Sequence, residues 1–409
     1  MHKIMAALGA GLLLLLTACP GNSTPGLTVT GKVVYPTGEA GAFLPVMVAN
    51  KVTSTDAGGN FSAGGISAPY RLVVVQPTQK YAQIFEGVTR ADPTVIAVGS
   101  GNYNGQANLT VNLSGAGYTW PQPSGYDTLL QVTGPVNMNG GATGSLGTSY
   151  TTTLQWVGPA SFRGSICALQ SQKNSSNVAT GFNGYGQLDN LAFTDKQPSS
   201  ANLVLNPIQS KTLSGLVTVP GGYTLTAKTL GFVCGSRLAY PFTFEQSSTP
   251  AFSYAAPVIG SALYLSASAK KGDASVYLQQ LGVAADASGV SLALPSATEL
   301  NQPADNALGV NNATPFSWSA FPGGIHQLSV YPKTSGPLAL TLFTTAASAT
   351  LPDLSSLGYP LPKGIVYRWI VSGIAPVGSV NDWLGGASFD FNQNYSSGYS
   401  GERTFTTAP

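Results

Sequence analysis

The chain has 409 residues, of which only 8% are charged, with a formal net charge of +2, 49 glycines and 28 prolines. Its polar surface must therefore come chiefly from Ser, Thr, Asn and Gln, and no basic face exists to displace counterions from a nucleic acid, the longest basic run being Lys270 and Lys271. Hydrophobic residues at 43% exclude a wholly disordered chain.

Met1, His2 and Lys3 precede an apolar stretch from Ile4 to Leu16, the charged and greasy regions of an export signal. A membrane-spanning helix needs about 20 apolar residues. This stretch ends sooner, and Pro20, Gly21 and Pro25 prevent its continuation. Leu16, Thr17, Ala18 and Cys19 resemble the lipobox of bacterial lipoproteins. The resemblance implies that residues 1–18 are a removed signal peptide, that Cys19 is the lipidated mature N-terminus, and that residues 19–26 tether the folded part to a membrane. Pro20 stands where some Gram-negative lipoproteins carry an Asp that retains them at the inner membrane, which favours the outer membrane or cell surface. The competing reading is an ordinary secretory signal with an incidental cysteine.

Beyond the tether the chain reads as all-β. "LTVTGKVVY" alternates, "YRLVVVQ" is a short β-branched run, and "GIVYRWIVSG" puts Ile365, Tyr367, Trp369 and Val371 on one face. No segment carries a helical stripe with caps, and Ser261 to Lys271 reads as a strand. Short strands between Gly, Pro, Asn and Ser turns predict tandem β-sandwiches of Ig-like type. Residues 114–126, "SGAGYTWPQPSGY", and 293–310 have the composition of linkers and divide the chain into 27–113, 127–294 and 297–409.

The first part carries "VTGKVVYPTGEA" and then "VTSTDAGGNFSAGGISA", with Thr55, Asp56, Gly58, Gly59, Asn60 and Phe61 before a strand. It resembles the carboxypeptidase regulatory-like, or transthyretin-like, β-sandwich family, which implies a structural or binding module and no peptidase. Asp56 is expected to hydrogen-bond turn amides; a calcium site there would need further carboxylates at loop spacing.

The middle part matches no family by its motifs. "VTGPV" at 132–136 and "LSGLV" at 213–217 echo "VTGKV" at 29–33 and hint at further openings of the same type. Cys167 and Cys234 remain once Cys19 is assigned to lipid; in an oxidising envelope they are expected to form a disulfide, the alternative being two buried thiols. The predicted architecture is one large or two small sandwiches stitched by that pair. Neither cysteine has a second Cys or His at ligand spacing, so no metal is implied. Asp189 and Asp195, in "YGQLDNLAFTDKQ", are the pair of acids worth naming as candidates.

The last part, with "NQPADNALGVNNATPFSWSAFPGGIHQLSVY", "LPDLSSLGYPLPKGIVYRWIVSGI" and "ERTFTT", resembles the fibronectin type III-like modules of bacterial surface proteins. The resemblance implies that Trp318 and Trp369 are core residues. His326 is the sole imidazole after removal of the signal; no G-x-S-x-G elbow, phosphate loop or H-E-x-x-H accompanies it, and no cofactor is implied. Residues 381–401 mix Trp383, Phe389, Phe391, Tyr395 and Tyr399 with amides, so Trp383, Tyr395 and Tyr399 are candidates for stacking on a glycan. The preferred alternative makes Phe389 and Phe391 one face of a strand and places the tyrosines in a long ordered hairpin.

Two functions follow. The first is a lipid-anchored, non-catalytic cell-envelope protein whose sandwiches act as spacer and interaction surface for a glycan or another envelope protein. The second is an exported hydrolase with its site in residues 127–294, which requires a deep pocket holding Asp189, Asp195 or another pair of carboxylates.

Overall fold

The computed structural model of the chain describes residues 26–98, 104–135, 137–235, 237–385 and 393–409. Cys19, Phe389 and Phe391 lie outside them. The described residues are almost wholly β, arranged as four sandwiches, each with its own apolar cluster between two sheets.

The first sandwich contains β1 (Leu27–Val34), β2 (Pro45–Val48), β3 (Lys51–Ser54), β4 (Asn60–Ile66), β5 (Tyr70–Gln76), β6 (Tyr81–Val88) and β7 (Thr94–Ile96). Sheet β4-β1-β7 closes on β3-β2-β5-β6 around Val29, Val33, Phe61, Leu72 and Val74. The second contains β8 (Gly105–Ser114), β9 (Tyr126–Thr133), β10 (Asn137–Asn139), β11 (Gly141–Gly144), β12 (Ser149–Val157), β13 (Ser161–Lys173), β14 (Ala179–Thr194), β15 (Ser199–Val204) and β16 (Asn206–Pro207). Its sheets are β10-β12-β8-β15 and β11-β9-β13-β14-β16.

The third sandwich contains β17 (Ser210–Thr218), β18 (Thr224–Cys234), β19 (Arg237–Leu238), β20 (Thr243–Glu245), β21 (Ala251–Pro257), β22 (Leu263–Lys271), β23 (Ala274–Val283) and β24 (Val290–Ala293). The fourth contains β25 (Leu300–Gln302), β26 (Ala307–Val310), β27 (Pro315–Trp318), β28 (Ile325–Pro332), β29 (Ala339–Thr344), β30 (Ser348–Thr350), β31 (Val366–Ala375), β32 (Tyr395–Tyr399) and β33 (Arg403–Thr407), with the short helix α1 (Val380–Trp383) inserted between β31 and β32.

Residues 127–294 thus belong to two sandwiches, and the expected first boundary moves. β8, placed by composition at the end of the first part, pairs instead with β12 and β15 of the second sandwich. Residues 114–126 look like a linker because they are rich in Gly and Pro, yet they are a loop pinned onto that sandwich. Gly117 N donates to Leu205 O at 2.9 Å, and the Tyr118 hydroxyl donates to Leu146 O at 2.5 Å. The 293–310 stretch is likewise packed: Leu294, Ala297 and Thr298 are buried, and Thr298 Oγ1 donates to Val371 O at 3.0 Å.

The echo between "VTGKV" and "LSGLV" is a repeat of structure. β1 pairs antiparallel with β4 and parallel with β7; β17 pairs antiparallel with β21 and parallel with β24. In each opening strand a glycine lies under an aromatic ring of its paired residue, Gly31 under Phe61 and Gly215 under Phe252, where a Cβ would come within 2.2 Å and 2.6 Å of the ring. A strand glycine has no side chain of its own to pack, and the neighbour's ring covers the backbone it leaves bare. The third echo, "VTGPV", is no opening strand, because β9 pairs antiparallel on both sides. The equivalent strand of the second sandwich is β8, whose Gly105 lies under Trp156.

The sandwiches are fused rather than strung. The larger sheets of the first, third and fourth sandwiches join into one path, β19-β18-β22-β23-β32-β31-β28-β29-β6-β5-β2-β3. β6 pairs in parallel with β29, Tyr81–Phe85 against Ala339–Phe343. On the other side, β32 lies between β31 and β23. Every edge consumed this way is an edge removed from unwanted pairing. The fusion accounts for "YRLVVVQ": one face of β5 meets Val29 and Phe61 in the first core, while Val73 and Val75 pack with Phe316, Leu328 and Trp369 of the fourth. A strand covered on both faces loses its alternation.

Candidate functional site

The aromatic stretch singled out as a glycan platform is spent on joining sandwiches. Ser379 caps α1, its Oγ accepting from Asp382 N at 3.2 Å while Asp382 Oδ2 accepts from Ser379 N at 2.9 Å, the reciprocal pair that holds a short helix. So held, α1 lays Val380 and the following Leu384 into the core of the first sandwich, with Val377 before them. Asn381 Oδ1 accepts from Thr89 N at 2.9 Å and Arg90 N at 3.2 Å, and its Nδ2 donates to Thr89 Oγ1 at 2.9 Å. The Trp383 ring lies 5.1 Å from that of Phe343.

Past residue 392 the same insertion turns to the third sandwich. β32 pairs with Ser275–Gln279 of β23, and Tyr395 sets its ring 5.8 Å from Tyr277. Gly398 faces Gly373 across the β31 pairing, and the Phe321 ring covers both, leaving no room for a Cβ at either. Trp383 and Tyr395 therefore sit at different junctions, each against another ring. Tyr399, 46% exposed, is the member of the trio that turns an open ring to solvent. No shared stacking platform is formed among the described residues.

The junction between the second and third sandwiches is covalent. Cys167 on β13 and Cys234 at the end of β18 form a disulfide with Cα atoms 5.9 Å apart. Leu129 and Leu169 of the second sandwich share one apolar cluster with Leu230 and Phe232 of the third. Thr133 Oγ1 donates to Cys234 O at 2.7 Å, Tyr185 Oη lies 2.8 Å from Ser261 Oγ, and the Tyr185 ring meets Phe232 edge-on at 5.5 Å.

The acids and the imidazole are engaged structurally. Asp189 Oδ1 accepts from Ser165 Oγ at 2.7 Å and Gln187 Nε2 at 2.9 Å. Asp195 Oδ1 accepts from Gln106 N at 2.9 Å. The two aspartates share no hydrogen-bond partner in these contacts. The open cleft of about 510 Å³ that Asp195 lines holds no second carboxylate, so the pocket required by the hydrolase reading is absent there. His326 is 2% exposed, its Nε2 accepts from Phe321 N at 2.9 Å, and burial holds its pKa below the ordinary value. Asp56 Oδ1 accepts from Gly58 N and Asn60 N, both at 2.8 Å; the Asn60 bonds lead in lowering its pKa, as a turn former requires.

Sequence reasoning missed a buried ion pair and an apolar cleft. Lys228, 1% exposed, sets its ammonium 3.1 Å from Glu245 and donates to Thr249 O and Ala251 O. Burial pushes the Glu245 carboxyl up, but the Tyr254 hydroxyl and Lys228 outweigh that and hold it below the usual range. The cleft, of about 330 Å³, opens at the β6–β29 seam between the first and fourth sandwiches. Its one sequence signal is proline density, as in "LGYPLPKG".

No family model and no curated protein matches the chain. Among solved structures, similarity is found to a DUF3823 family protein from Parabacteroides merdae, at 13% identity over 40% of this chain and 90% of that one, with a TM-score of 0.15. The Bacillus anthracis TIE protein matches at 9% identity over 66% of this chain and 50% of its own, with a TM-score of 0.16. A streptococcal ancillary pilin matches at 10% identity, covering 58% and 89%, with a TM-score of 0.12. Superpositions this poor carry neither topology nor function from one chain to another.

Proposed function

We propose that this is a lipid-anchored cell-envelope protein whose fused sandwiches form a stiff spacer and a fixed interaction surface toward a glycan or another envelope protein. The anchor rests on Leu16, Thr17, Ala18 and Cys19, followed by a Pro- and Gly-containing tether. The observation that carries the spacer role is the shared sheet: a main-chain ladder runs from the first sandwich through the fourth to the third. Bending such a body means breaking strand pairing, whereas sandwiches joined by free linkers would swing independently. The first sandwich is read as a carboxypeptidase regulatory-like module. The fourth is read as a fibronectin type III-like module, supported by its order β25-β27-β30 against β29-β28-β31-β33.

Replacing Cys19→Ser tests the anchor. The wild type is expected in the membrane fraction with the mass of a diacylated cysteine, the variant in the soluble fraction without it; unchanged fractionation and mass would reject lipidation. Small-angle scattering on residues 27–409 tests the stiffness, with one narrow distribution of maximum dimension expected. Glycan-array and pull-down screens on the same residues identify what the surface meets.

A further inference from the structure

The cleft at the β6–β29 seam has the features of a small-molecule site. Its walls carry Pro77 from the β5–β6 turn, Pro337 from the β28–β29 turn, and Pro352, Pro360 and Pro362 from the β30–β31 connection. Proline has no N–H, so these walls present rings and carbonyls but few donors. Tyr367, at the start of β31, lines the cleft and is 1% exposed. Its ring is stacked on Phe405 at 5.4 Å. Burial pushes Tyr367 up to about 12, so the group stays protonated and is a donor at neutral pH. Lys80 stands exposed at the rim, its backbone fixed by Lys80 N to Pro77 O at 3.1 Å and Ala339 N to Lys80 O at 2.9 Å, and its ammonium makes no ion pair among the described residues.

We propose that this cleft binds a compact, ring-bearing organic acid, with its apolar body between the proline walls, an oxygen acceptor on the Tyr367 hydroxyl and its acidic group at Lys80. The volume, about 330 Å³, is at the small end of ligand pockets, which suits one or two fused rings. The site stands on the seam alone and does not depend on lipidation or on the partner of the outer surface.

The test is isothermal titration of residues 27–409 with two probes, 6-hydroxy-2-naphthoate and 2-naphthoate. The hydroxylated probe is expected to bind about tenfold more tightly with one-to-one stoichiometry, because it alone reaches the Tyr367 donor. Tyr367→Phe keeps the ring and should abolish that preference. Lys80→Gln should weaken both probes and remove the salt dependence of binding. Leu338→Trp, which fills the cleft from a half-buried wall position, should block both probes. Thermal unfolding of each variant establishes that it is folded. Absence of binding at millimolar probe would overturn the proposal and leave the hydroxyl to water. An unchanged preference in folded Tyr367→Phe would overturn it equally.

Discussion

The two ways in which this molecule joins its sandwiches are opposites. Between the second and third, side chains do the work: a disulfide, a shared apolar cluster and the Tyr185 and Thr133 hydroxyls. Between the fourth and its neighbours, the backbone does it, through β6–β29 on one flank and β23–β32–β31 on the other, with side chains filling in behind. The first kind resists shear through a covalent bond and tolerates adjustment of each sheet. The second makes neighbouring sandwiches parts of one sheet, so that local damage at a seam is felt on both sides.

The sharpest way to break the contrast is at the backbone seam. The Phe85 and Phe343 rings stack at 5.2 Å across it, and Trp383 packs on Phe343. Phe343→Ala is expected to cost about 3–5 kcal/mol in urea unfolding, with amide protection lost on both Tyr81–Phe85 and Ala339–Phe343. If protection fell on β29 alone, the two sandwiches would be independent after all.

The disulfide comes next. Its 67-residue separation corresponds to about 4 kcal/mol in the chain-entropy model. Replacing both Cys167→Ala and Cys234→Ala should lower the unfolding free energy of the second and third sandwiches by up to that amount. Hydrogen exchange along β6–β29 should stay as in the wild type.

A smaller effect separates the halves of the insertion. Asn381→Ala removes the acceptor of Thr89 N and Arg90 N, and should cost about 1 kcal/mol. Faster exchange is expected at those two amides, with none at β23–β32.

The smallest effect is a pH response on the seam side. His326, on β28 opposite Thr344 of β29, has its pKa lowered in the fold from 6.5, so the unfolded chain binds the proton more readily. Its contribution to stability is complete above about pH 6.5 and is lost as pH falls through the lower folded value. His326→Gln, with an amide oxygen for Phe321 N, should flatten that part of the urea-midpoint profile, whereas the disulfide junction has no titrating group to add there.

How much was legible follows from what each feature is made of. The Gly31 strand predicted its counterpart around Gly215, because a glycine beneath a ring leaves a local pattern. The same pattern misled at Gly134, where β9 runs between two antiparallel neighbours. The resemblance to a fibronectin type III-like module implied that Trp318 and Trp369 are core residues, and both are buried. Whether Trp383 and Tyr395 face a sugar or the next sandwich was not legible, because rings among amides look alike in either place, and the fold sets each against another ring. Composition failed at residues 114–126 for a related reason: glycine and proline serve a pinned loop as readily as a free linker.

By itself, then, the sequence determined the strand content, the inward faces of those strands and the cysteine pair. Each of these depends on residue type and spacing along the chain. Only the tertiary structure decided which edges join, how a strand such as β32 is shared between sandwiches, and where five prolines and two tyrosines close around a cleft. Those choices are made through main-chain hydrogen bonds, which every residue but proline offers alike, and through contacts hundreds of residues apart such as Thr89 with Asn381.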